Sequence, residues 1–359
     1  MQAFNFDPAP TRIVFGAGRA VALGDEMARL GDGTVLVIST PRGRALAERL
    51  AATITARRTE FFDGAVTHVP SAVAESGLAA ALTSGAASCL AIGGGSAIGL
   101  AKILARDLGL PYLAIPTTYA GSEQTAVWGV TDEDGKVTGT DPRVRPDTVI
   151  YDPELTTDLP AGTSIVSGFN ALAHAVEALY DPGADPVTRW MAEEGARAML
   201  RALPLVQRDG HDLRARTGAL YGAWLCGAAL GAATMGLHHK ICHVLGGSAG
   251  LPHADTHAIV LPYVIAFNQS AAARVGEIIA EELGLSPAGE SLRALANRLG
   301  VPLSLREIGL DESLLPELAE RIAAAAPSNP RPVDRFQVAD ILAAAWRGDP
   351  ASPVPDRGE

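Results

Sequence analysis

Residues 236–257, GLHHKICHVLGGSAGLPHADTH, hold five of the chain's eight histidines. Near neutral pH imidazole has two uses. It ligates transition metals through an unprotonated nitrogen, and it gives or takes a proton. Spacing decides which rings can act together. His239 and His243 are four residues apart, so on a helix they share one face. His253 follows ten residues later, after GGSAGLP, a glycine-rich break that can fold the chain back. A third stretch, SGFNALAHAVEAL (167–179), puts Asn170 and His174 at the same helical spacing. Three stretches can therefore converge. His174, His239, His243 and His253, with Asn170, form the candidate catalytic set. His238, His257, His68 and His211 are read as ordinary core or surface histidines.

A second chemistry is written in AIGGGSAIGLAK (91–102), where a strand hands over to a helix. Gly93, Gly94 and Gly95 let backbone approach a ligand closely, and the free N–H groups at the helix start, with Ser96, suit a phosphate. IPTTYAGSE (115–123) leaves another strand with hydroxyls at Thr117, Thr118 and Ser122. In dinucleotide folds a carboxylate after an early strand often holds the ribose 2′-hydroxyl. Here Ser39 and Thr40 stand in its place, with Arg42 and Arg44 close behind, so charge repulsion excludes neither NADH nor NADPH.

These residues need elements to position them. TVLVIST (34–40), TEFFDGAV (59–66), the run from 88, LPYLAIPTT (110–118) and DTVIYDP (147–153) read as strands. Helical patterns over 42–57, 71–86 and up to 105 separate them. This alternation predicts a mostly parallel sheet covered by helices. WGVTDEDGKVTGT (128–140) reads as a hairpin turning at Asp134-Gly135. Beyond residue 160 the texture is helical throughout, with helices expected over 165–180, 187–202, 212–234, 239–247, 255–268, 272–283, 288–299, 312–325 and 334–347. The reading is an α/β nucleotide-binding domain over 1–160 and an all-helical domain over 161–359, with the active site in the cleft between them. The tail GDPASPVPDRGE is expected to fray.

Composition bounds the partners. Of 359 residues 48% are apolar and 19% charged, which excludes a disordered chain, and the net charge of −11 argues against nucleic acid or an anionic membrane. An anionic substrate then needs local cations, for which Lys240, Arg145 and Arg331 are candidates. Three cysteines without a C-x-x-C pair read as reduced thiols of a cytoplasmic protein. No signal peptide and no transmembrane run are recognised.

Taken together, the GGGS turn, the PTT segment, the Asn170-x3-His174 helix and the His239-x3-His243-x9-His253 spacing resemble the iron-containing (group III) alcohol dehydrogenase family, with its dehydroquinate-synthase-like fold. Within that family TTYAGSE, TGTDPRVRPDTVIYDP, SGFNALAHAVEALY, GLHHKICH and NPRP (329–332) are most similar to one branch, the maleylacetate reductases. The resemblance implies a homodimer that uses NADH or NADPH on a small dicarboxylate. Metal-binding members carry one Asp and three His as ligands; by position these are Asn170, His174, His239 and His253 here. The GGGS turn is commonly followed by an Asp where this chain has Gly99.

The amide at position 170 would leave a divalent ion without an anionic ligand. Three histidines can still hold zinc, and Asp255 or Glu177 could supply a carboxylate, but neither stands at the family position, so weak binding or no metal is expected. The implied reaction can do without one. Hydride adds to the alkene carbon β to a ketone, charge spreads into an enolate, and hydrogen-bond donors can stabilise it. His243 or His253 would donate to the enolate oxygen or supply the proton; His239 and His174 would position them, and Asn170 would orient an imidazole. Which ring does which stays open at this point. Two other readings stand beside this one. A metal-dependent alcohol dehydrogenase of the same fold is discriminated by Asn170. A non-redox nucleotide-binding protein or lyase on this scaffold would show no response to NADH.

Overall fold

The computed structural model describes residues 3–132, 135–284 and 287–353. The chain forms two compact units. Of the described residues, those in 7–159 and 211–220 form one; those in 160–210 and from 221 onward, with those before 7, form the other.

The first unit runs β1 (Arg12–Phe15), α1 (Leu23–Ala28), β2 (Thr34–Ile38), α2 (Arg44–Ala51), β3 (Thr59–Phe62), α3 (Ser71–Ser84), β4 (Ala86–Gly93), α4 (Gly95–Leu108), β5 (Tyr112–Pro116), β6 (Val127–Asp132), β7 (Gly135–Thr140) and β8 (Thr148–Tyr151). Six strands form one fully parallel sheet in the order β1-β8-β5-β4-β2-β3, and β6 and β7 form an antiparallel hairpin. Parallel strands covered on both faces must be apolar along their whole length, not alternating. TVLVI of β2 and YLAIP of β5 meet that demand, with every residue buried after the first of β2. The hairpin pairs Asp132 with Gly135; the expected turn residue Asp134 lies outside the described residues.

Strand order positions the first site. From β2 the chain adds β3 on one side and then β4 on the other. In open parallel sheets a ligand binds at the carboxyl ends of the strands where growth reverses in this way. Ile38 of β2 pairs with Ala91 of β4, and Gly93 of β4 pairs with Pro116 of β5. Ser39-Thr40, the glycine turn and the PTT segment therefore leave the sheet along one edge.

The second unit contains α5 (Ala161–Tyr180), α6 (Pro186–Arg208), most of α7 (Leu213–Ala232), α8 (Leu237–Ala249), α9 (His253–Asn268), α10 (Ala273–Leu283), α11 (Ala288–Arg298), α12 (Leu315–Ala324) and α13 (Arg335–Arg347). From Ser164 to Leu179, α5 is buried on nearly every side. A helix that is small and apolar all round is a core helix, and this one packs against α6, α8 and α9. Among the described residues no helix is long and apolar enough to cross a membrane.

Four sequence expectations need correction. β1 and α1 were not expected: RIVF is a four-residue edge strand with little burial, too short for a periodicity to show. The helix expected over 42–57 stops at Ala51, because the β-branched Thr53-Ile54-Thr55 follows. The strand expected over 59–66 ends at Phe62, before Gly64. The start of the tail is anchored: Gly348 and Asp349 are half-buried, and Ala351 is buried, its N–H donating to Glu290.

Candidate active site

Helices α5, α8 and α9 gather six of the eight histidines into one cluster. Asn170 and His174 come from successive turns of α5, His238, His239 and His243 from α8, and His253 and His257 from the first two turns of α9. The rings form a continuous array. His174 stacks on His239 with centroids 5.1 Å apart, and His239 meets His257 at 5.1 Å. His257 meets His253 at 4.4 Å, and His253 stacks on His243 at 6.3 Å. The set expected to converge does so. His68 and His211 are exposed and lie outside it.

The cluster is graded in burial. His174, His238, His239 and His257 are buried, whereas His243 and His253 are half-buried. Burial lowers the His174 pKa well below its ordinary value, and the neighbouring rings, His239 foremost, lower it further. His257 is lowered by burial and then by His253 and His238, and His238 falls to about 3, again mainly by burial. These three inner rings are neutral at pH 7. His243 and His253 are the two rings of the cluster that are not fully buried.

One carboxylate organises the inner ring. Glu177 lies one turn after His174 on α5 and is about 1% exposed. His239 Nδ1 lies 2.6 Å from its Oε2. The backbone N–H groups of Gly236 and His238 donate to it at 2.7 Å each, and the Tyr180 hydroxyl donates at 3.0 Å. Burial alone would raise the Glu177 pKa, but the His239 and His238 rings and the Gly236 N–H hold it down at about 2. Gly236 is required for this approach. A Cβ there would stand 2.7 Å from Ser328 O and 3.0 Å from Glu177 Oε1.

Several polar atoms of the cluster are buried without a partner: Asn170 Oδ1, His174 Nδ1, His239 Nε2, His238 Nδ1 and His257 Nε2. A buried polar atom left unpaired costs about 1–3 kcal/mol, so such a concentration calls for a ligand. His238 Nε2 and His257 Nδ1 share a hydrogen bond of 2.9 Å, with the buried Cys242 thiol 3.6 Å from the same His238 nitrogen.

The nucleotide side is equally local. Gly93 has φ near 143°, a conformation open only to glycine. A Cβ on Gly94 would stand 2.8 Å from Thr118 Oγ1, so the PTT segment closes over the turn, and Thr117 N–H donates to Gly93 O. Helix α4 starts at Gly95 and Ser96 without a side-chain cap, leaving its first N–H groups for an anion. Ser39 is buried with an unpartnered hydroxyl, and Ser122 Oγ is likewise unpaired. Thr40 instead caps the next turn, accepting from Gly43 N–H.

Behind this edge, Lys102 of α4 is wholly buried. Its Nζ donates to Thr125 O, Thr125 Oγ1 and Val127 O at 2.7–2.9 Å, tying the segment after Ser122 to α4. Burial pulls its pKa from 10.5 down to about 7.

The three cations proposed for substrate carboxylates are placed very differently. Lys240 is half-buried on α8 and makes no ion pair among the described residues. Arg145 belongs to the first unit and donates to Gln124 O. Arg331 is buried, donates to Phe267 O and stacks on the Phe267 ring. Its neighbour Asn329 forms a reciprocal amide pair with Asn268. The NPRP segment thus braces α9.

Sequence reasoning gave three members of the cluster no part in the catalytic set: His238 and His257, read as ordinary histidines, and Glu177, read as a carboxylate off the family position. A signal existed for two of them. His257 repeats the four-residue spacing from His253, and Glu177 follows His174 by three. Nothing in spacing singles out His238.

Two family models cover most of the chain. The model for iron-containing alcohol dehydrogenase matches residues 10–153, and that for the C-terminal part of the Fe-containing alcohol dehydrogenase family matches 164–346. A maleylacetate reductase of Pseudomonas sp. (strain P51) is 47% identical over 350 residues, covering 98% of this chain and 99% of the relative. One from Burkholderia cepacia is 48% identical over 349 residues, covering 97% and 99%. The crystal structure of maleylacetate reductase from Agrobacterium tumefaciens superimposes with a TM-score of 0.92 at 44% identity, covering 98% of this chain and all of that one.

Proposed function

The chain belongs to the iron-containing alcohol dehydrogenase family, and we propose that it reduces the conjugated C=C of maleylacetate to 3-oxoadipate with a nicotinamide hydride. What carries this reading, beside the full-length likeness, is the outer edge of the histidine cluster. His243 and His253 are half-buried proton donors, and Lys240, on the same helix as His243, carries a charge that no described residue neutralises. Those are the groups a conjugated dianion needs.

The reaction divides into two parts. Hydride from the nicotinamide adds to the alkene carbon β to the ketone, and the electron pair moves onto the ketone oxygen as an enolate. His243 or His253 donates a hydrogen bond to that oxygen, which stabilises the charge as it develops. The other ring delivers a proton to the α carbon, giving the saturated ketone. Lys240 holds a substrate carboxylate. The nucleotide phosphates sit on Gly94, Gly95 and Ser96 at the start of α4, with Thr117, Thr118 and Ser122 beside them. With Ser39 and Thr40 in place of a carboxylate, and Arg42 exposed, both NADH and NADPH are accepted.

The family is named for iron, and the donors present fit such an ion. Asn170 Oδ1, His174 Nδ1 and His239 Nε2 are buried and unpaired, and His253 stands at the fourth family position. When bound, a divalent ion there supplies Lewis-acid polarisation of an oxygen. This fit favours a second reading, reduction of an isolated carbonyl by a metal-dependent alcohol dehydrogenase.

The test is substrate choice. Purified protein should oxidise NADH on addition of maleylacetate, with 3-oxoadipate as product, and leave simple aldehydes and ketones at background. Turnover of aldehydes without turnover of maleylacetate rejects the proposal in favour of the second reading.

A further inference from the structure

We propose that Glu177 is the anionic arm of the histidine site: acting through His239, it fixes a lone pair on Nε2 and supplies, one ring removed, the negative charge that Asn170 lacks. The argument starts from the hydrogen bond. Three donors besides His239, the Gly236 and His238 N–H groups and the Tyr180 hydroxyl, point at the two Glu177 oxygens, so these oxygens accept. The hydrogen in the 2.6 Å contact therefore sits on His239 Nδ1. In the neutral ring Nε2 must then be a lone pair, and it is buried with nothing to accept from. Asn170 Oδ1 is a second buried acceptor with no donor.

Two orphan acceptors on adjoining helices suit a cation or a hydrogen donor; they repel an anion. A histidine whose far nitrogen is fixed by a carboxylate is the usual arrangement at metal sites, and loss of that carboxylate costs about 10–100-fold in affinity. The other metal-capable group, His238, Cys242 and His257, is built the opposite way. If His238 Nε2 and His257 Nδ1 ligated an ion, the hydrogens would move to His238 Nδ1 and His257 Nε2, which are buried with no acceptor. Glu177 thus marks the Asn170, His174, His239 and His253 set as the one prepared for a cation, in spite of its neutral amide. Glu177 is a positioning residue and need not touch the ligand.

This inference uses the same histidines as the proposed reaction but is tested without substrate. Full-length protein, stripped with a chelator, is titrated with Co²⁺ by calorimetry and visible absorption. One ion should bind, without a thiolate charge-transfer band. Glu177→Gln should weaken binding about 10–100-fold, and Asn170→Asp should strengthen it. Absence of binding to the wild type, or equal affinity in Glu177→Gln, overturns the proposal. So does a thiolate band that disappears in Cys242→Ser, which would put the ion on the other group. Should Glu177→Gln fail to fold, ¹⁵N NMR of histidine-labelled wild type still decides, with His239 assigned by its absence in His239→Gln. Hydrogen on Nδ1 is required, and hydrogen on Nε2 alone refutes the proposal.

Discussion

Lys102 offers a prediction whose size follows from its surroundings. An ammonium sealed among neutral oxygens is solvated by three hydrogen bonds and makes no ion pair among the described residues, although the buried Glu123 carboxyl nearby opposes part of the effect of burial. Burial brings its pKa from 10.5 to about 7 in the folded chain. Below pH 7 both folded and unfolded chains carry the proton, and the folded state bears the full cost of the buried charge. Between pH 7 and 10.5 the unfolded chain binds more protons than the folded one, so stability rises with pH through that window. One proton corresponds to a slope of about 1.4 kcal/mol per pH unit. From pH 7.5 to 9.5 the wild type should therefore gain about 2.5 kcal/mol relative to Lys102→Met, which has no proton to lose. Urea titrations of both proteins at both pH values, taken as a difference of differences, cancel every group they share. Equal pH dependence in the two proteins would refute the reasoning, because Lys102 would then titrate as an ordinary lysine or be held charged by Glu123.

Other predictions concern catalysis and binding. Replacing His243 or His253 by Gln should lower kcat by about 10²–10⁴-fold, the usual worth of a general acid or base, while NADH affinity by fluorescence titration stays unchanged. A loss confined to KM would remove both rings from proton transfer. In Gly94→Ala the new methyl collides with Thr118, so NADH affinity should fall several-fold while thermal stability changes little. Unchanged NADH affinity would place the nucleotide elsewhere. Lys240→Met should raise KM for a dicarboxylate about 10–100-fold, from loss of a charge-assisted hydrogen bond worth about 1.5–3 kcal/mol. Unchanged KM, with no flattening of its salt dependence, would assign the carboxylates to another cation.

The glycine turn and the histidine cluster were legible in the sequence for one reason. Each is set by spacing within a single element or turn, as with Gly93-Gly94-Gly95 after β4, or Asn170 and His174 on α5. Strands β2, β4, β5 and β8 could be read because buried parallel strands are apolar runs. β1 could not, being four residues at a sheet edge. Glu177 was visible as a carboxylate on the right helix, but its role depends on how the start of α8 comes to lie. Only with Gly236 N–H and His239 Nδ1 on the same carboxylate oxygen does it become part of the site. Arg331 illustrates the converse. Its charge suggested substrate, but its guanidinium is buried against Phe267, a contact between segments 64 residues apart that no local pattern announces.

The central claim is that hydride goes to carbon–carbon, not carbon–oxygen. NADH deuterated at the transferred position, turned over with maleylacetate and read by NMR of the product, tests it most directly. The account predicts 3-oxoadipate with deuterium on the former alkene carbon β to the ketone, and a solvent hydrogen on the α carbon. Deuterium on a carbinol carbon, with the double bond intact, would contradict it and make the chain a carbonyl reductase.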